Sequence, residues 1–138
     1  MRKFIFLKTK GFNQTVDITE DLRLIVKESG VEQGFCFLFA FGSTCALTTI
    51  EYEEGLLKDF KNFLEKLLPG NEEYEHCQKW GDCNAVSHLL SSLFKTFLIL
   101  PVENNDLLLG SWQNVVFIDF DKRPRQRKIL VEIFQSSK

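Results

Sequence analysis

Alternating apolar and polar positions predict strands near both ends of the chain. In residues 3–9 the phenylalanines fall on one side and Ile5 and Leu7 on the other, as in a strand with both faces partly covered. A hairpin turn is predicted at Glu103–Asn105. Further extended segments are predicted at 15–18, 96–102, 106–109, 114–120 and 128–134.

Three other segments repeat apolar residues at intervals of three and four, the spacing of one helical face. The first helix is predicted to be capped by Thr19 and to stop at Gly30. The second covers residues 56–67 and ends before Pro69. The third covers residues 85–95 and begins after a polar turn.

Between the first two helices lies the most apolar part of the chain. Residues 35–41 are rich in Phe and lack helical spacing, which predicts a strand buried on both faces. A second strand at 44–52 follows a bend at Gly42–Ser43. Together the elements predict an α+β fold: a sandwich of mostly antiparallel strands with about three helices, in one domain spanning residues 1–138.

The amino-acid composition limits the kinds of partner that the protein is expected to bind. Fourteen phenylalanines among 138 residues are a heavy apolar load, and part of that surface is a candidate for burial between subunits. The formal charge of -2 and pI near 5.7 make nucleic acid an unfavourable partner, because nucleic-acid-binding domains carry a basic excess. The longest apolar run has seven residues, so no membrane segment is predicted.

The N-terminal residues also lack a long apolar segment of the secretory type, so a cytoplasmic protein is predicted. Four cysteines occur at positions 36, 45, 77 and 83, with no CxxC spacing. In a reducing compartment these cysteines are expected to be free thiols.

Residues 74–93 hold both histidines of the chain and are the main candidate site. Asn84 is predicted to be the N-cap of the third helix, with His88 one turn into it. His76 is placed on a polar loop that can fold back over the helix start, where free N–H groups favour an anion. With Asp82, these side chains could converge on one pocket.

The same residues leave three interpretations open. His76, Cys77, Cys83 and His88 have the residue types of a zinc site, but their spacing matches no established metal motif. The two histidines could instead form a catalytic or substrate-binding pair, or the segment could be only a capped helix with a satisfied histidine. Asp82 is a candidate orienting carboxylate and equally a turn residue.

Two further groups are candidates for binding. Arg123, Arg125 and Arg127 alternate, so in an extended segment they would point to one side and could bind phosphate. Taken alone, such a charge run is more often a solvated strand end. Trp112 and Gln113 could offer a ring for stacking and an amide for hydrogen bonding, while a Trp at such a position is often part of the core.

Several blocks resemble the YjbQ family, also called the secondary thiamine-phosphate synthase family, in order and spacing over nearly the whole chain. Residues 42–48 align with the family pattern His-Thr-Thr-Ala-Ala-Leu-Thr, and Tyr74–His76 with its Tyr-x-His. The other blocks are Gly81–Ala85 with His88 and Leu89, Ser91–Leu93, Leu100–Val102, Leu109–Gln113 and Phe120–Asp121.

The resemblance implies a small β-sandwich that assembles as a homotrimer and has a polar pocket for a phosphorylated small molecule. Some members of the family show thiamine phosphate synthase activity, joining an aminopyrimidine pyrophosphate to a thiazole phosphate. By position, His88 and Asp82 would be catalytic, and His76 and His88 would bind a metal. The ligand-binding residues would be Asn84, Glu51, Trp112, Gln113 and Arg125.

One position departs from the family. Gly42 stands where the first motif histidine is expected, so a three-histidine site cannot form in this chain. A divalent ion, zinc or magnesium, therefore remains a weakened candidate cofactor. The expected functions are a transferase of the thiamine phosphate synthase type with weak or altered activity, or a non-catalytic ligand-binding or regulatory trimer.

Overall fold

The computed structural model describes residues 1–69, 73–80 and 83–137, and for residues 78–80 the backbone alone. These ranges contain eight strands and four helices. The strands are β1 (Arg2–Thr9), β2 (Gln14–Asp17), β3 (Gln33–Ala40), β4 (Cys45–Ile50), β5 (Phe97–Glu103), β6 (Asp106–Leu107), β7 (Asn114–Asp119) and β8 (Arg125–Gln135). The helices are α1 (Thr19–Ser29), α2 (Glu54–Leu67), α3 (Glu75–Trp80) and α4 (Ala85–Phe94).

Two antiparallel sheets confirm the predicted α+β sandwich. One has five strands in the order β1-β8-β3-β5-β6, and the other has three in the order β2-β7-β4. The main core lies between the sheets, where inward residues such as Leu38 and Ile129 meet Leu47 and Phe117. Because side chains alternate along each strand, every second residue of the paired strands enters this core.

A second core holds two helices against the outer face of the three-stranded sheet. Leu64 of α2 and Leu90 of α4 are both 1% exposed and pack with Val116, Ile118 and their neighbours. The position of α4, which carries His88, is therefore fixed by burial of its apolar side on the sheet.

None of the described elements covers the outer face of the five-stranded sheet. Many of the side chains that point outward from β1, β3, β5 and β8 are phenylalanines, interspersed with charged residues such as Lys128 and Glu132. The rings of Phe35 and Phe134 stack across neighbouring strands with centroids 4.9 Å apart. We call this surface the Phe face. Its most exposed members are Phe4, Phe6, Phe35, Phe39, Phe41, Phe97, Ile99 and Phe134.

Most predicted elements are confirmed within a few residues, and the hairpin turn is confirmed by Asn104 and Asn105, whose φ angles are 53° and 58°. The cap of α1 was misplaced by one residue. Thr19 is the first helical residue, and its N–H donates to Oδ1 of Asp17 at 3.0 Å. At the other end Gly30 is left-handed with φ 68°, as predicted.

Three other predictions were wrong. The strand predicted at 35–41 is buried on one face only, because its outward side belongs to the Phe face. The segment predicted as a loop around His76 is helix α3. Strand β8 begins at Arg125, inside the predicted basic loop, because Arg125 pairs with Thr9 of β1. None of the helices within the described ranges is long and apolar enough to cross a membrane.

Candidate functional site

The two histidines meet where α3 and α4 approach each other. Their rings lie edge to face with centroids 5.0 Å apart. Nδ1 of His88 is 3.0 Å from the carbonyl oxygen of Ser43. A carbonyl can only accept, so Nδ1 carries the proton of the neutral ring and Nε2 keeps its lone pair. His88 is thereby oriented with one nitrogen available to a ligand or a proton.

Asn84 acts differently from the predicted cap. It occupies the N-cap position of α4, but its side chain makes no capping bond. Its Oδ1 instead lies 2.9 Å from Nε2 of His76, and the residue is 7% exposed. Asn84 is thus a positioning residue for His76, because its amide oxygen accepts the imidazole N–H.

A cleft of about 520 Å³ opens beside His88, and we call it the His88 cleft. Its wall contains hydroxyl groups, one ammonium group and one imidazole, and none of the described residues that line it is acidic. Such a lining favours an anion over a cation. The lining residues are Gly42, Ser43, His88, Ser91, Ser92, Lys95, Thr96 and Phe97.

Lys95 is the residue of this cleft that sequence reasoning missed. It follows α4 directly and has φ 76° and ψ 151°, a conformation that only glycine adopts without strain. Its backbone is held there because its N–H donates to Ser91 and its carbonyl accepts from the N–H of Leu47. No sequence signal marks this strain, because a lysine at a helix end is ordinarily explained by the helix dipole.

A second cleft, of about 370 Å³, also includes His88 in its lining. It is lined mainly by apolar surface, with Tyr74, His76, Ala85 and Leu89 among its residues. His88 therefore belongs to two clefts, one with several polar groups and one that is mainly apolar apart from Tyr74, Glu75 and His76. A ligand with an anionic end and an apolar end could contact His88 from both clefts.

Several predicted ligand-binding residues lie elsewhere in the chain. Ser43 precedes β4, whereas Glu51 follows it, so the two ends are separated by the length of the strand. Gln113 lies at the Glu51 end, where its Nε2 is 3.5 Å from Oγ1 of Thr49, and neighbouring Trp112 is 74% exposed rather than in the core. Asp82, the predicted orienting carboxylate, lies outside the described residues.

The arginine prediction is corrected at Arg127. Its side chain is only 7% exposed, and its Nε and Nη2 donate to the two carboxylate oxygens of Asp119, each at 2.8 Å. Nη2 also donates to Oγ1 of Thr44 at 2.8 Å. Burial would lower the pKa of this guanidinium, but the bonds that it donates to Asp119 raise the pKa above the ordinary value. Arg127 is therefore a buried structural cation and not a phosphate ligand.

Arg125 is the neighbouring cation and is also paired. Its Nε donates to Oδ2 of Asp121 at 2.7 Å, and Oγ1 of Thr44 donates to the same oxygen at 3.1 Å. Burial would raise the pKa of Asp121, but the bonds from Arg125 and from the backbone N–H of Lys122 hold it below its ordinary value. We call Arg127, Asp119, Asp121, Arg125 and Thr44 the Arg127 cluster.

The cysteines divide into two pairs. Cys77 and Cys83 form a disulfide, so the expectation of free thiols was wrong for them. It failed because α3 brings the two residues together, with Cα atoms 4.4 Å apart, which spacing alone does not reveal. Cys36 and Cys45 are free and buried, and burial raises the pKa of their thiols to about 12 and about 11.

The disulfide also removes the four-ligand zinc interpretation, because bridged sulfurs are not thiolate ligands. Two imidazoles remain, those of His76 and His88. In the part of the chain that the structure describes, no three His, Cys, Asp or Glu side chains converge as metal ligands. The donor set present therefore does not complete a structural zinc site, which takes four ligands.

At Gly42 the structure shows what the missing histidine would meet. A Cβ built at this position would lie 2.8 Å from Nη1 of Arg127 and 3.0 Å from Sγ of Cys45. Both neighbours are buried, and Arg127 is held by Asp119 and Thr44. Gly42 therefore lets the guanidinium approach the backbone behind the His88 cleft.

Comparisons with known proteins give the family. The sequence profile of the family described as UPF0047 protein YjbQ-like matches residues 3–136. A UPF0047 protein of Archaeoglobus fulgidus is 36% identical over 126 residues, which cover 91% of this chain and 95% of that protein. YugU of Bacillus subtilis is 26% identical over 96% of this chain and 98% of its own length.

Solved structures of similar proteins have the same fold. A YbjQ-like protein of unknown function from Sulfolobus solfataricus superposes with a TM-score of 0.89 at 28% identity, covering 99% of both chains. An uncharacterised YjbQ/UPF0047 protein from Clostridium acetobutylicum gives a TM-score of 0.87 at 32% identity, covering 96% of this chain and 99% of that one. The profile match over nearly the whole sequence, together with the shared fold, shows that this chain belongs to the YjbQ (UPF0047) family.

Proposed function

We propose that the His88 cleft binds a phosphorylated small molecule. The observation that supports this most directly is Lys95, whose backbone is held in a strained conformation. Its side chain belongs to a cleft that has no acidic residue among its described lining residues. Strain of this kind persists where the surrounding structure imposes it and is concentrated at functional sites. A phosphate is the anion that a lysine, hydroxyl groups and an imidazole suit best.

Each lining residue takes a role in this proposal. Lys95 pairs with the phosphate charge, and the hydroxyl of Ser92 donates a hydrogen bond to it. His88 offers Nε2 as a general base or acid, with its ring fixed through Nδ1 by the Ser43 carbonyl. Phe97 supplies an apolar wall for an organic ring attached to the phosphate.

The finer form of the proposal is a weak transferase of the thiamine phosphate synthase type. Joining an aminopyrimidine pyrophosphate to a thiazole phosphate requires the two molecules to be held together and the charge of departing pyrophosphate to be neutralised. Lys95 could provide part of that charge. A magnesium ion, whose sites are commonly completed by substrate phosphates, would enter with the substrate, since the described residues supply no full set of ligands.

A non-catalytic ligand-binding protein is the second candidate. It is favoured by Gly42, which contributes no imidazole, and by the distance along β4 between Ser43 and the Glu51–Gln113 end. In this case the cleft would bind the phosphate ester without converting it, and His88 would serve as a hydrogen-bond partner.

Calorimetric titration with inorganic pyrophosphate tests the site before any substrate is known. We expect Lys95→Met and His88→Ala each to weaken binding about tenfold, since a hydrogen bond to a charged group contributes about 1.5 kcal/mol. Lys66→Met, at an exposed position of α2, is the matched control and should bind as the parent does. Equal binding by all four proteins would refute the site.

A turnover assay then separates the two candidates. The aminopyrimidine pyrophosphate and the thiazole phosphate are incubated with the protein and magnesium, and product is followed by chromatography. Product formation that His88→Ala abolishes would identify a transferase. Pyrophosphate binding without product formation would identify a binding protein.

We further propose that the protein self-associates through the Phe face in the cytoplasm, as a homotrimer. The eight most exposed members are 36–72% exposed. At about 200 Å² for a large side chain, they present roughly 770 Å² of apolar surface, close to the roughly 800 Å² per partner of a stable interface. Phe97 belongs both to this face and to the His88 cleft, so a second copy would border the cleft.

Light scattering of the purified protein tests the assembly. Ile99→Lys should shift the mass in solution toward that of one chain, because it places a charge on the interface. Leu24→Lys on α1 is the matched control, since Leu24 is 59% exposed and Ile99 58%. A single-chain mass for the parent protein, or no shift in Ile99→Lys, would contradict the proposal.

A further inference from the structure

The disulfide and the histidine contact connect the same two segments. Cys77 directly follows His76 on α3, and Cys83 directly precedes Asn84 at the start of α4. The hydrogen bond from His76 to Asn84, at 2.9 Å, therefore runs beside the Cys77–Cys83 bridge, one residue away on each chain segment. Reduction of the bridge therefore also removes a covalent constraint on the position of the His76 ring relative to Asn84.

Helix α3 has few other attachments among the residues whose side chains are described. It has six residues, too few to be stable as an isolated helix, and makes no extended contact with either sheet in the described part of the chain. His76 itself is exposed. Helix α4, in contrast, is anchored by Leu90 in the second core. The bridge consequently joins a weakly held helix to a firmly held one.

We propose that the Cys77–Cys83 bridge is a reversible redox modification site that sets the position of His76 against His88. In the oxidised protein α3 is tied to the start of α4, and the two imidazoles face each other at 5.0 Å. In the reduced protein α3 is released, the His76–Asn84 bond is lost, and the His76 ring no longer faces that of His88.

The chemistry is thiol–disulfide exchange with an external dithiol. A thiolate of the reductant attacks the sulfur of Cys83, which is the exposed member of the pair, and the bond to Cys77 breaks as that sulfur leaves and takes a proton. The second thiol of the reductant then attacks the mixed disulfide and releases Cys83. Two electrons pass from the dithiol, which becomes a disulfide, to the bridge, which becomes two thiols.

The other cysteines provide an internal reference. Cys36 and Cys45 are each 0% exposed, so they should resist alkylation in the folded protein whether or not it has been treated with a dithiol. In the oxidised protein we expect no label from iodoacetamide. After dithiothreitol treatment we expect two labels per chain, at Cys77 and Cys83, located by peptide mass spectrometry.

The positional effect is read by NMR, which needs no ligand. The chain has only two histidines, so ¹³C-histidine labelling gives two assignable ring systems. A nuclear Overhauser effect between the His76 and His88 rings is expected in the oxidised protein and should disappear on reduction. Cys77→Ser/Cys83→Ser should lack it with or without reductant, whereas Cys36→Ala should respond as the parent does.

An unchanged Overhauser effect after complete reduction would overturn the proposal, as would labelling of Cys77 and Cys83 in protein that had been left oxidised. The consequence for binding rests on the proposed function: pyrophosphate binding should weaken severalfold on reduction. If pyrophosphate binds neither form, the proposed function fails, while the NMR result still decides the redox site. If it binds both forms equally, the bridge does not regulate the cleft, and that part of the proposal is overturned.

Discussion

The segment Gly42–Thr44 separates two polar regions of opposite character. Behind it lies the Arg127 cluster, in which the guanidinium of Arg127 is 7% exposed and bonded to both oxygens of Asp119. In front of it lies the His88 cleft, where Lys95 has no ion-pair partner among the described residues. In the Arg127 cluster the charged groups are paired with one another. In the His88 cleft a charged group and several hydrogen-bonding groups face the solvent.

The difference shows how a binding site can be supported. A ligand site needs side chains that are held in place but whose polar groups are not already paired with other groups of the protein. The Arg127 cluster fixes the backbone at Thr44, and the adjacent Ser43 carbonyl then orients His88. The buried charges therefore act on the site through backbone position, and the exposed groups act on the ligand directly.

Removing the buried cation should be the most damaging change. Arg127→Met leaves Asp119 as an uncompensated carboxylate at 0% exposure, so we expect the free energy of unfolding to fall by about 3–5 kcal/mol. Urea denaturation measures this loss. Arg127→Met/Asp119→Leu, which removes both charges, should recover much of it. A double variant as unstable as the single one would show that packing, rather than charge pairing, holds this region together.

Gly42 lies between the two regions, and adding a side chain there should damage the region behind it. For Gly42→His the new Cβ would meet Arg127 and Cys45, and we expect a loss of about 1–3 kcal/mol in the free energy of unfolding. Gly55→Ala is the matched control, because its Cβ would meet only the side chain of Glu53, and a helical site favours alanine. Full stability of Gly42→His would mean that Arg127 can move aside.

Much of this architecture was predictable, because the strands alternate and the helices repeat at three and four. The start of α4 and the proximity of His88 to His76 also followed from the turn before Ala85. The burial of Arg127 was missed, although a signal existed. Asp119 lies inside the apolar run 115–120, and a carboxylate in a buried strand needs a partner. The disulfide and the strain at Lys95 had no signal, because both depend on backbone paths that spacing does not specify.

Relieving the backbone strain at Lys95 should change protein stability and pyrophosphate binding in opposite directions. Lys95→Gly removes the side chain from a backbone conformation that glycine adopts freely. Glycine also raises the backbone entropy of the unfolded chain, which offsets part of this gain. We therefore expect a net rise of about 1 kcal/mol in the free energy of unfolding. Pyrophosphate binding should weaken about tenfold, through loss of a charge-assisted bond. Urea denaturation and calorimetric titration measure the two effects. Lys95→Met, which keeps the strain, should lose binding without gaining stability.

The smallest expected effect is the acid sensitivity that Asp121 contributes to the Arg127 cluster. Burial opposes ionisation of this carboxyl, but Arg125 and the N–H of Lys122 lower its pKa below the ordinary value. A depressed folded-state pKa stabilises the protein above the pKa of the unfolded chain, near 3.9, and this contribution is lost as the pH falls through the folded-state value. Unfolding free energies of the parent should therefore decline below about pH 4, and Asp121→Asn should flatten part of that decline.

Asp59→Asn, at an exposed position on α2, controls for the loss of one negative charge. An acid profile of Asp121→Asn identical to that of the parent would place the acid-sensitive carboxylates elsewhere. A flattened profile, in contrast, would show that ionised Asp121, through its bonds with Arg125 and the Thr44 hydroxyl, stabilises the region behind the cleft.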